Sequence, residues 1–105
     1  MEPRVFIIQE QDRFDYSPAE KFGELHFLTI HEYSSNKNSP KNDMIKEDMI
    51  RGLRGYRPGV DYLVLTGSPI LMCLGFYYAN LHGPLHKILK WDNQAYEYKI
   101  VHIGV

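Results

Sequence analysis

The sequence predicts an α/β fold, a small and mostly parallel sheet of about five strands in the order 2-1-3-4-5 with a C-terminal β-hairpin. Three observations predict it. Short β-rich apolar runs alternate along the chain with segments of helical period, the pattern of strand–crossover–strand units. The first run, 4–9 (RVFIIQ), is apolar on both faces, as expected of a strand covered on both sides. The last two runs, 85–91 and 96–103, are separated only by the turn-like 92–95 (DNQA) and read as an antiparallel pair. At 105 residues and 12.3 kDa the chain accommodates one domain, 1–105.

Each element has its own local reason. After the polar 10–16 stretch, Ser17-Pro18-Ala19-Glu20 reads as a helix start. Ser17 stands at the cap, Pro18 in the first turn and Glu20 three residues on, as in a capping box, and Gly23 ends the helix early. The run 24–31 (ELHFLTIH) is a second strand, and 33–42, rich in Ser, Asn, Lys and Pro, is one long flexible loop. Asn42 or Asp43 caps a helix running to about Gly55, with Ile45, Met49 and Leu53 as its buried stripe. A short third strand, 62–65 (YLVL), leads into a helix capped by Ser68, opened by Pro69 and ended before Gly83. The whole reads as a shortened flavodoxin-like or Rossmann-like sheet, in three layers or two, with the short Ser17 helix on one face and the two longer helices on the other.

Composition excludes several function classes. A net charge of −1 gives no electrostatic footprint for a nucleic-acid backbone or an anionic membrane. One cysteine, Cys73, permits neither an intramolecular disulfide nor a cysteine zinc site and fits a reducing compartment. The start MEPR resembles neither a signal nor a transit peptide. The uncharged stretch 62–86 is cut by TGSP and by Gly83-Pro84 into pieces shorter than the roughly 20 apolar residues a membrane span needs.

Catalytic and metal constellations are thin. The five histidines lack a converging spacing, so no metal is expected, and no cofactor motif is present. Cys73 among Met72, Leu74 and Phe76 reads as inert packing, and Ser68 lacks the turn of a hydrolase nucleophile. Arg51, Arg54 and Arg57 around a helix end read as ordinary charge at a helix C-terminus rather than an anion grip. The turn Thr66-Gly67-Ser68 is the one place for a nucleotide or phosphate. There a helix N-terminus meets the carboxyl ends of parallel strands, with Gln9 and Glu10 expected on the same crest.

The 68–81 helix is the most informative segment. Ile70, Leu71, Leu74, Tyr77, Tyr78 and Leu81 form one face, read as the side that meets the sheet. The other side carries Met72, Cys73, Gly75, Phe76 and Ala79, with Asn80 its one polar group. A helix apolar all round is covered all round. Met72, Gly75, Phe76 and Ala79 are therefore expected to form a protein interface, most simply in a two-fold homodimer, with the hairpin aromatics Trp91, Tyr96 and Tyr98 as the other surface.

Four segments, 4–10 (RVFIIQE), 19–24 (AEKFGE), 61–69 (DYLVLTGSP) and 89–94 (LKWDNQ) followed by Tyr96 and Tyr98, give the chain a likeness. It resembles small hypothetical proteins of tailed bacteriophages, including phages of cyanobacteria. Ser68 stands where those proteins more often have an acidic residue, so no acidic site at that turn is implied. The resemblance implies a phage product acting in the host cytoplasm and supplies no activity. Two functions are expected from different classes. The first is a non-enzymatic, homodimeric protein-interaction module with a host or phage protein as partner. The alternative is a small nucleotide- or phosphate-binding protein or enzyme built on the Thr66–Ser68 turn.

Overall fold

A computed structural model describes residues 2–104. Five strands form one sheet: β1 (Arg4–Gln9), β2 (Glu24–Thr29), β3 (Tyr62–Val64), β4 (Lys87–Asp92) and β5 (Glu97–His102). Their order is β2-β1-β3-β4-β5, with β1 parallel to β2 and β3, β3 parallel to β4, and β4 antiparallel to β5. The α/β class, the strand order and the antiparallel close are those the sequence predicts.

The pleat of β1 divides the core in two. Phe6 and Ile8 point to one face, where they pack with Leu28, Leu63 and the helices α1 (Pro40–Gly52) and α2 (Pro69–Asn80). Val5 and Ile7 point to the other, with Val64, Leu89 and Tyr98, covered by Tyr16 and a short 3₁₀ segment, Ser17–Phe22. Each fully buried Ile, Leu or Phe in these layers contributes roughly 1.5–3 kcal/mol. The Ser17 segment departs from the expected α-helical capping box. Asp15 Oδ1 accepts the Ser17 N–H at 2.9 Å, Tyr16 takes the cap position, and no side chain caps the segment. It is too short for a regular i→i−4 ladder and tightens into 3₁₀.

Helix α1 begins at Pro40, earlier than Asn42 or Asp43, because Ser39-Pro40 supplies the extended cap residue and the preset first turn. Asn42 is buried inside the helix rather than capping it. Its side chain turns back on the preceding loop, accepting the Ser34 N–H at 2.7 Å and donating to Ser34 O at 2.7 Å and Asn36 O at 3.3 Å. The long loop is thus hydrogen-bonded to the helix that follows it. Ile45, Met49 and Leu53 are fully buried, as their spacing predicts.

At the amino edge of the sheet, Asp61 binds the chain together. Its buried carboxylate accepts the Arg4 N–H (2.9 Å) and Arg57 N–H (2.9 Å), and pairs with the guanidinium groups of Arg57 (2.8 Å) and Arg4 (3.2 Å). Burial alone would raise its pKa, but the Arg57 side chain and the two N–H groups prevail and hold it below the usual carboxylate value. Arg51 pairs with Asp48 within α1 at 3.1 Å, so Arg51 and Arg57 of the arginine run both have structural partners, Arg57 at the amino end of β3, away from the Thr66–Ser68 turn.

Candidate functional site

The carboxyl ends of β1 and β3 meet at the point where the chain switches from building leftward to building rightward, the usual ligand crevice of such sheets. Here that crevice is filled from within. Gln9 is 2% exposed, its Oε1 accepts the Ser68 N–H at 3.1 Å, and its Nε2 donates to His31 O (3.2 Å) and Glu32 Oε1 (2.8 Å). Gly67, at φ +106°, is the residue that lets this amide in, since a Cβ there would lie 2.6 Å from Gln9 Cβ and collide with Oε1. A phosphate at the start of α2 would have to displace a side chain already hydrogen-bonded in its place. Ser68 does stand at the cap position, but its hydroxyl makes no capping bond. Glu10 lies apart, on a shallow depression with Asp12 and Glu32. Of the five residues expected to bind a ligand, Gln9, Thr66, Gly67 and Ser68 do come together at the turn, with Gln9 bonded across it as part of the fold, while Glu10 points away into solvent.

Thr66 and Gly67 also line a cleft of about 520 Å³ on the 3₁₀-segment side of the carboxyl edge. Its floor is Val64, Tyr16 and Tyr98, and its walls include Met72, Leu65, Pro18 and Trp91. Phe14 and Tyr96 stand at its rim, 59% and 75% exposed, with Arg13 and Asp15 as the charged groups. Trp91 and Tyr98 are cross-strand partners, so the hairpin register sets their rings edge to face at 5.0 Å. Trp91 is held from outside the cleft by a 2.9 Å bond from Nε1 to Asn93 Oδ1. Tyr16 is locked by its hydroxyl, which accepts the Gln11 N–H (3.0 Å) and donates to Gln9 O (3.3 Å). Tyr96 has φ +52°, a conformation that costs a bulky residue on the order of 1–2 kcal/mol and recurs at functional sites.

The expected interface residues also separate. Gly75 and Ala79 are buried against the chain's own sheet, and a Cβ on Gly75 would lie 2.6 Å from Ile8 Cδ1. They do not offer a partner a close approach. Small side chains instead let β1 come close. Phe76 packs partly on the same core and Met72 turns to the cleft. The face read as meeting the sheet is partly the outer one: Ile70, Tyr77 and Leu81 are 52%, 58% and 65% exposed, while Leu71 is buried. Cys73 is exposed with them rather than packed.

Sequence reasoning named Trp91, Tyr96 and Tyr98 but not Phe14 and Tyr16. The signal for those was an aromatic pair in an otherwise polar 10–16 stretch. Among the described residues no group of His, Cys, Asp or Glu converges to hold a metal ion, and no helix is long and apolar enough to cross a membrane. Comparison with curated proteins and with solved structures finds no match. The comparison with protein families does, over residues 3–105, which bears out the likeness to small phage proteins: the chain belongs to the phage Pam3 gp32-like protein family.

Proposed function

We propose that the chain is a non-enzymatic protein-interaction module, a homodimeric phage-type protein that engages a host or phage protein in the host cytoplasm. One observation carries the reading. α2 has no charged residue, yet Ile70, Cys73, Tyr77 and Leu81 form a solvent-facing stripe along it. A contiguous uncharged apolar helix face open to water supports a surface for another protein. Ile50 of α1 extends it, and a groove of about 200 Å³ between Leu53, Arg54, Tyr78 and Leu81 gives it relief. A two-fold pairing through this stripe opposes no like charges across its centre. The proposed surface is Ile70, Tyr77 and Leu81, exposed on α2 and at its end, in place of Met72, Gly75, Phe76 and Ala79, of which Gly75 and Ala79 are buried.

The test is mass in solution. Sedimentation equilibrium of the wild-type protein is expected to give twice the 12.3 kDa chain mass. Tyr77→Glu and Leu81→Glu, both at exposed positions, are expected to give single chains with an unchanged circular dichroism spectrum. A wild-type protein that stays a single chain at high concentration overturns the homodimer.

A further inference from the structure

The aromatic cleft takes no part in the α2 surface, and its shape and charge indicate what would fill it. Its rings do not form a slot. Trp91 stands at 76° to Tyr96 and 63° to Tyr98, with centroids 6.2 and 5.0 Å away. Such a corner suits a rounded group that touches several rings at once, more than a flat one stacked between parallel faces. Tyr98 adds a polar cue. It is 5% exposed, lines the cleft and makes no hydrogen bond among the described residues. Burial, reinforced by Tyr16 and Asp15, pushes its pKa up to about 12, so the hydroxyl stays neutral. At the mouth the Asp15 carboxylate is held below its usual pKa by the Ser17 N–H and hydroxyl and stays ionised.

We propose that the cleft is an aromatic cage for a small alkylated ammonium compound, with Trp91, Tyr96 and Tyr98 as its rings and Asp15 as the counter-charge. Ring quadrupoles attract a cation placed near them, and an alkylated ammonium, having given up N–H groups that water would solvate, enters an apolar site more readily than a bare one. The volume fits a small molecule. Arg13 lies at the same mouth, is exposed and works against the cation. The two rim charges therefore make opposite predictions.

The experiment titrates the full chain, by NMR, with choline and with 3,3-dimethyl-1-butanol, the neutral carbon isostere of the same shape. Choline is expected to bind roughly tenfold more tightly. Trp91→Ala removes binding. Because that variant also disturbs the hairpin, the exposed rim supplies a second pair. Asp15→Asn weakens choline binding about threefold and Arg13→Ala strengthens it by a similar factor, with the isostere unaffected by either. Equal binding of the two probes, preference for the isostere, no shift with either, or an Asp15→Asn variant that binds choline as wild type does overturns the cage. Sedimentation with phosphatidylcholine vesicles, run alongside, identifies the source. Choline binding without pelleting identifies a free cation, and pelleting that Asp15→Asn reduces identifies a lipid headgroup.

Discussion

Helices α1 and α2 lie on the same face of the sheet and differ in what marks their outer sides. α1 carries Lys41, Asp43, Lys46, Glu47, Asp48 and Arg51 around a buried stripe of Ile45 and Met49, continued by Leu53 just past its end. α2 carries no charge at all, and its buried stripe is Leu71, Gly75 and Ala79. Their exits differ in the same sense. Beyond α1, Arg57 and Arg4 close on Asp61, whereas α2 ends on an amide, Asn80 Oδ1 accepting the Leu85 N–H at 3.1 Å. Charge tells a helix which side is out. Without it, the smallest residues decide, because they let the backbone approach the sheet most closely.

The α1 exit is the most sensitive point of the two helices. Asp61→Ala leaves two arginines and two N–H groups without their shared acceptor and is expected to cost about 3 kcal/mol, read from urea unfolding at neutral pH. Because the Asp61 pKa is lowered in the fold, its contribution is present above the unfolded carboxylate value of about 3.9 and is lost as pH falls through the folded value. The gap between wild type and variant should therefore narrow below about pH 4, and a gap independent of pH would show that Asp61 acts by packing alone. Met49→Ala, on the legible stripe of α1, is expected to cost about 3 kcal/mol or slightly less in the same assay, since the thioether is fully buried.

Gly75→Leu sharpens the contrast. Against Ile8 it forces the helix off the sheet and costs about 2 kcal/mol. Were Gly75 outward, the same change would stabilise by up to about 1 kcal/mol through helix propensity. The smallest effect belongs to the outer side of α1, where Glu47→Ala should change stability by less than about 0.5 kcal/mol and leave the mass in solution unaltered, unlike Tyr77→Glu on α2.

Much of the fold could be read from the chain because several levels of pattern agreed. RVFIIQ is apolar on both faces and lies between two cores. The alternation of strands and crossovers gave the strand order, and the spacing of Ile45, Met49 and Leu53 gave the inner side of α1. Local capping was less legible. Ser17 and Asn42 are both good cap residues by type, but the Asp15 carboxylate took the Ser17 N–H, and Asn42 was recruited by a loop eight residues upstream. The rotation of α2 was only partly readable, since an uncharged helix presents nearly equivalent faces. The site was least legible. Which way the Gln9 amide turns depends on His31, Glu32 and the Ser68 N–H, and the cleft joins Phe14 and Tyr16 to a hairpin far along the chain. Such meetings follow from the assembled sheet and leave no local pattern.

Gln9 has a wider consequence. One amide joins the end of the interior strand β1 to the first turn of α2 and to the loop that precedes α1, so three segments share a single fastening. A shorter residue there would release all of them together. The switch point, where comparable sheets keep a berth for a guest, is here a joint of the fold itself.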